Sequence, residues 1–62
     1  MKSADVMKAL RDNGWKQVRQ NGSHCHFRKE GNPNLVTVPH PKRHLPIGTL
    51  RNIQKASGLT FG

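Results

Sequence analysis

The dipeptide Asn21-Gly22 constrains the fold of this chain more than any other feature of its sequence. Both residues tolerate positive φ, and Asn-Gly between two strand-forming runs is the strongest short-range signal of a β-hairpin. We therefore predict strands at 15–20 and 24–29. A turn cluster at 30–34 is followed by the β-branched run 35–38, which predicts a third strand. Because both connections are too short for a crossover, the predicted sheet is antiparallel.

A helix is predicted on each side of these strands in the sequence. Residues 4–13 carry apolar side chains at helical spacing, with Ser3 as the expected N-cap and Gly14 as the glycine that ends the helix. Residues 47–57 repeat this spacing through Ile47, Leu50 and Ile53. The predicted fold is α+β with the order αβββα, in which two helices pack on one face of a three-stranded antiparallel sheet.

The length of 62 residues predicts a single domain over 1–62. A domain of this size buries only about 60% of the surface that its unfolded chain exposes. The single cysteine, Cys25, excludes an intramolecular disulfide, and small secreted domains usually need such bonds. We therefore expect a cytoplasmic protein. No apolar run approaches the roughly 18 residues that a membrane span needs, and no signal peptide is expected at the N-terminus.

The charge balance points to a polyanionic partner. The chain has 11 Lys and Arg against 3 acidic residues, which gives a formal net charge of +8. Such an excess fits binding to nucleic acid, to an acidic protein or to an anionic membrane surface.

Strand alternation predicts which side chains of the second strand are exposed. Successive side chains of a strand point to opposite faces, so Cys25 and Phe27 share one face while His24, His26 and Arg28 share the other. Phe27 belongs to the core, which places the histidines and Arg28 on the exposed face. The residues predicted to pack between helices and sheet are Trp15, Phe27, Leu10, Leu50 and Ile53.

The polar residues exclude several enzyme classes. The chain has no glycine-rich loop with the Walker spacing, and its three acidic residues are scattered, so a two-metal or paired-carboxylate site is not expected. Histidine moves protons near neutral pH, and Arg or Lys stabilise charge that develops on a phosphate. Cleavage of RNA needs only these two kinds of group, and no metal.

His24 is the candidate catalytic residue because it follows the open turn Asn21-Gly22-Ser23. By spacing alone, an ordinary surface histidine in a hairpin is the more frequent interpretation. His40-x-x-x-His44 matches a zinc-ligand spacing, but Cys25 lies on the opposite strand face from His24 and cannot easily join it on one ion. We therefore predict neither a metal site nor a cofactor.

Five segments in order resemble the HicA family of toxins, and together they cover nearly the whole chain. They are Gly14-Trp15-x-x-Val18-Arg19, Gly22-Ser23-His24-x-x-Phe27, Val36-Thr37-Val38-Pro39-x-Pro41, Leu45-Pro46-x-Gly48-Thr49-Leu50 and Ala56-x-Gly58-Leu59. The resemblance implies a fold similar to the double-stranded-RNA-binding domain. It also implies the activity of a ribosome-independent mRNA interferase, with the histidine of Gly-Ser-His, here His24, as the catalytic residue. The implied partner is a HicB-type antitoxin that covers the active site.

Around His24, we expect RNA contacts from the second strand, the basic connector between the third strand and the second helix, and the second helix. The expected RNA-binding residues are Ser23, His26, Arg28, Lys42, Arg43, Arg51 and Lys55. Two rival interpretations remain: a double-stranded-RNA-binding module that does not cleave RNA, and a basic protein that binds an acidic partner. An exposed histidine on an open hairpin favours the enzyme.

Overall fold

The computed structural model describes residues 1–61, and its element order confirms the predicted αβββα fold. The elements are α1 (Ser3–Asp12), β1 (Lys16–Asn21), β2 (His24–Arg28), β3 (Val36–Pro39) and α2 (Ile47–Ser57). The strands form one antiparallel sheet in the order β1-β2-β3. Within residues 1–61, no helix has the length and apolar character needed to cross a membrane.

The core lies between the two helices and one face of the sheet. Phe27 and Cys25 of β2 are buried together with apolar residues from α1, β3 and α2. Of the predicted core, Trp15, Phe27, Leu10 and Ile53 are buried, and Leu50 is half-buried against them. Ile47 departs from the expected apolar stripe of α2, because it is 68% exposed at the first position of the helix.

The hairpin between β1 and β2 forms one residue later than the sequence suggests. Asn21 pairs with His24 as the last residue of β1, so the two-residue loop is Gly22-Ser23 and not Asn21-Gly22. Gly22 has φ of 56°, and among residues 1–61 only glycines have positive φ. Glycine at the first loop position is typical of a type II′ turn, whereas type I′ needs positive φ at both positions. The hairpin prediction is confirmed and its turn is corrected.

Strand β1 contains an irregularity that the sequence analysis did not predict. Gln17 pairs with Phe27, but the next pair along the ladder joins Arg19 to His26, so the register shifts at Val18. This is a β-bulge, in which one strand contributes an extra residue. Beyond the bulge, the side chains of β1 change faces.

The connector between β3 and α2 is attached to the start of α1. Ser3, the expected N-cap, is instead the first residue of the helix, and Lys2 is the N-cap without a side-chain capping bond. The Ser3 hydroxyl oxygen accepts a hydrogen bond from the backbone N–H of Lys42 at 2.9 Å. The backbone N–H of Ser3 donates to the Lys42 carbonyl at 2.9 Å. The side chain of Ser3 is thus used in a tertiary contact and not in capping.

Candidate functional site

The candidate site lies on the face of the sheet that points away from both helices, which we call the outer face. Strand β2 contributes His24, His26 and Arg28 to it, while Cys25 and Phe27 are buried on the opposite face. This confirms the strand faces predicted from alternation. His24 is exposed, is the first residue of β2 and directly follows the open loop Gly22-Ser23. A polymer as bulky as RNA can therefore reach its ring.

The second histidine of this face is held in place by β3. His26 pairs with Thr37 across the sheet, and its Nδ1 lies 2.9 Å from the Thr37 hydroxyl oxygen. The ring is half-buried as a result. Within residues 1–61, no comparable side-chain bond orients the His24 ring, so the two histidines have different environments on the same face.

Strand β1 adds two cations that the sequence analysis missed. Lys16 pairs directly with Arg28, and Arg19 pairs with His26. Directly opposite residues of an antiparallel pair share a face, so both cations belong to the outer face. Strict alternation along β1 would place Arg19 on the other face from Lys16, and only the bulge at Val18 brings them together. All six residues of β1 are exposed in the folded protein, and no local pattern in the sequence indicates the bulge.

A depression of about 250 Å³ opens between these side chains. Cationic and imidazole groups line it together with two aliphatic side chains. Its lining residues are Val18, Arg19, His26, Arg28 and Leu35. The outer face is therefore a concave surface that combines positive charge with apolar area.

The connector brings further basic residues near the hairpin loop. The backbone N–H of His40 donates to the Ser23 carbonyl at 2.6 Å, which joins the start of the connector to the residue before His24. The His40 ring points away from the outer face and bonds through Nδ1 to the Ser3 hydroxyl at 2.8 Å. Lys42 and Arg43 follow, exposed, and line a separate depression of about 420 Å³ at the start of α1.

Two of the expected RNA-binding residues lie elsewhere. Arg51 and Lys55 are exposed on α2, which packs against the core side of the sheet. The structure therefore does not place them on the outer face with His24, although Lys55 lines a depression beside Leu35. Ser23, His26 and Arg28 do lie beside or on that face.

In the part of the chain that the structure describes, the cations of the outer face have no carboxylate partner. Within residues 1–61 the structure has one ion pair, between Lys8 and Asp12 of α1, at 2.8 Å. The hydrogen bond that Lys8 donates to the Asp12 carboxylate, and then the negative charge of that carboxylate, raise the pKa of Lys8. No group of three or more His, Cys, Asp or Glu side chains in residues 1–61 is placed to hold a metal ion.

Comparison with protein-family models matches residues 3–59 to the family described as HicA toxin of bacterial toxin-antitoxin. The chain belongs to the HicA toxin family. A solved structure of a HicA3 and HicB3 toxin-antitoxin complex contains a similar chain with 32% identity and a TM-score of 0.86, and the similarity covers 100% of both chains. A comparison with curated proteins finds no significant match to the chain. The resemblance stated from sequence motifs is thus confirmed for both family and fold, and this HicA toxin presents the Gly-Ser-His histidine on its open, cationic face.

Proposed function

We propose that this HicA toxin is a ribosome-independent mRNA interferase that cleaves RNA with His24 as its catalytic acid–base residue. The observation that carries the proposal is the placement of His24: it is exposed beside an open loop, on a face whose cations have no carboxylate partner among residues 1–61. A histidine that served only solubility would not need this setting. Cleavage of mRNA would arrest translation and growth.

The proposed reaction uses the ribose as its own nucleophile. The imidazole of His24 accepts the proton of the 2′-OH, and the 2′-oxygen attacks the adjacent phosphorus. The bond from phosphorus to the 5′-oxygen breaks, that oxygen takes a proton from water as it leaves, and His24 then gives its proton back to the solvent. The products are a 2′,3′-cyclic phosphate and a 5′-hydroxyl. Arg28 and its cationic neighbours stabilise the negative charge that builds on the phosphate oxygens, so the reaction requires no metal ion.

We also propose that a HicB-type antitoxin is the physiological partner. The similar solved chain comes from a HicA3 and HicB3 complex, which supports a partner of the same type here. An acidic surface laid over the outer face would block His24 and occupy the cations that RNA needs. We place this pair in the cytoplasm, where a lone thiol such as that of Cys25 stays reduced.

The experiment that tests the proposed function compares His24→Ala with His44→Ala. His44 is an exposed connector histidine, so the two variants differ in position and not in chemistry. Purified proteins are incubated with labelled RNA in EDTA, and each variant is also expressed in cells. We expect His24→Ala to lose at least about 10²–10⁴-fold in cleavage rate, together with toxicity, while circular dichroism shows an intact fold.

Each alternative result has a distinct meaning. If His24→Ala retains near-full cleavage, the active site lies elsewhere, with His26 or His40 as the next candidates. If the parent protein binds RNA but cleaves none with or without EDTA, the chain is a binding module. If activity disappears only in EDTA, the metal-independent mechanism is wrong.

A further inference from the structure

Two aliphatic side chains stand exposed among the cations of the outer face. Val18 is 56% exposed and Leu35 is 38% exposed, and both line the depression with Arg19, His26 and Arg28. Val18 is the extra residue of the bulge, between the pairs Gln17–Phe27 and Arg19–His26. The bulge turns Arg19 onto the outer face, beside the exposed side chain of Val18.

The charges around this pocket repel one another in the free protein. Arg19 and Arg28 both line the pocket, and Lys16 lies directly opposite Arg28. Like charges placed directly opposite in a sheet are destabilising. Asp12, the acidic side chain that forms an ion pair within residues 1–61, does so with Lys8 on α1. A bound anion is therefore what would relieve the repulsion on the outer face.

The pocket lies one step along β2 from the proposed catalytic residue. His24 and His26 are two residues apart on the same strand face, a separation of about 7 Å. An RNA strand whose scissile phosphate lies at His24 therefore places a neighbouring nucleotide over the pocket. The volume of 250 Å³ is below the range of about 300–1,000 Å³ typical of sites for whole drug-sized ligands. It fits one base with its phosphate at the rim.

We propose that this pocket is a subsite for one nucleotide of single-stranded RNA next to the cleaved bond. Arg19 binds the backbone phosphate, and Val18 and Leu35 contact the base. The His26 ring, oriented by its hydrogen bond with Thr37, forms one side of the pocket. The inference rests on the proposed function and deepens it, because it defines the substrate as an unpaired strand. A base stacked within an A-form helix cannot reach aliphatic side chains, whereas an unstacked base can. Contact by apolar area also predicts weak discrimination among the four bases.

The test measures binding separately from cleavage. A His24→Ala background keeps the RNA intact, and the probe is a short labelled single-stranded RNA. A series of the same oligonucleotide carries an abasic ribose at each position in turn. The variants are Arg19→Gln and Leu35→Ser, and the control is Lys8→Gln, which removes the same charge from the helical side of the molecule.

We expect the variants to distinguish the phosphate contact from the base contact. Arg19→Gln weakens binding about tenfold and lowers the slope of log affinity against log salt by about 0.7, as loss of one phosphate contact on a single strand should. Leu35→Ser weakens binding about threefold through lost apolar contact and leaves the slope unchanged. The Leu35→Ser effect disappears with the oligonucleotide that is abasic at the occupied position. Lys8→Gln changes affinity less than twofold.

Several results would overturn the subsite while leaving the proposed function in place. Equal losses for Arg19→Gln and Lys8→Gln would mean that only overall charge matters. An abasic series with no preferred position, in a protein that still cleaves, would mean that no base is held. Loss of antitoxin binding without loss of RNA binding in Arg19→Gln would assign the pocket to a protein partner. A His24→Ala protein that binds no RNA, together with a parent that cleaves none, would instead overturn both proposals.

Discussion

A single buried hydroxyl organises the basic connector. Ser3 is 1% exposed, and its side-chain oxygen contacts the backbone N–H of Lys42 and the Nδ1 of His40. The sequence suggests a helix cap at this position, because serine is common there. In the structure, the same hydroxyl instead joins the first turn of α1 to a segment nearly forty residues later in the chain. Ser3 therefore helps to hold the connector against the first turn of α1.

Replacing Ser3 with alanine should loosen this connection. We expect Ser3→Ala to lower the free energy of unfolding by about 1–3 kcal/mol, because the Lys42 N–H and the His40 ring lose a partner. Urea denaturation measures the change, and Thr60→Ala is the control, since Thr60 is an exposed hydroxyl residue near the C-terminus. A Ser3→Ala protein as stable as Thr60→Ala would show that the contact contributes nothing to stability.

At the scale of elements, the outer face is built from the three strands, and two basic segments lie outside it. The hairpin loop places His24 at its open end, and the bulge in β1 decides which cations surround it. The connector adds Lys42 and Arg43 at the start of α1, and α2 carries Arg51 and Lys55 on the helical side. The connector is bonded to the hairpin loop through His40 and Ser23, whereas α2 packs on the core side of the sheet.

Neutralising each basic segment tests how far the RNA extends. The double variant Lys42→Gln with Arg43→Gln should weaken binding to all RNA sequences alike, because phosphate contacts position RNA without reading bases. The slope of log affinity against log salt should fall by about 1.4, or roughly 0.7 for each phosphate lost on a single strand.

The matched double variant Arg51→Gln with Lys55→Gln removes the same charge from α2. An equal fall in slope would show that RNA also reaches the helical side, as the sequence analysis expects. A parent affinity that does not respond to salt would contradict the phosphate footprint on both segments.

At the scale of the whole molecule, the strand that carries the proposed active site also contributes to the hydrophobic core. Phe27 is fully buried between the helices and the sheet, and its neighbours in β2 are the histidines of the outer face. A domain below about 70–80 residues rarely gains more than about 3–5 kcal/mol from its core. The site and the fold therefore depend on the same few side chains.

Truncation of Phe27 should unfold the protein and not merely inactivate it. We expect Phe27→Ala to cost about 3–5 kcal/mol, which is comparable to the whole stability of such a chain. Circular dichroism and urea denaturation test this, with Phe27→Leu as the variant that keeps most of the buried volume. A folded Phe27→Ala protein that had lost only RNA cleavage would contradict the assignment of strand faces.

The net charge of +8 predicts how an antitoxin would inhibit the toxin. We expect inhibition to be competitive with RNA, and association of the two proteins to slow as salt rises, because opposite charges steer the encounter. Stopped-flow mixing measures the rates, and chemical modification of histidines tests whether His24 is protected in the complex. Lost activity with His24 still reactive would show that inhibition acts at a distance.

The sequence by itself determined those features that depend on residues close together in the chain. The element order follows from local signals, namely helical spacing, Gly14 and the Asn-Gly dipeptide. Alternation along β2 places His24 and Phe27 on opposite faces of the sheet. The tertiary structure alone decided that Ser3 contacts Lys42, that Ile47 is exposed and that Arg51 lies on the other side of the sheet from His26. It also decided that Arg19 joins the outer face, because a bulge arises from how two strands pair and not from either strand alone.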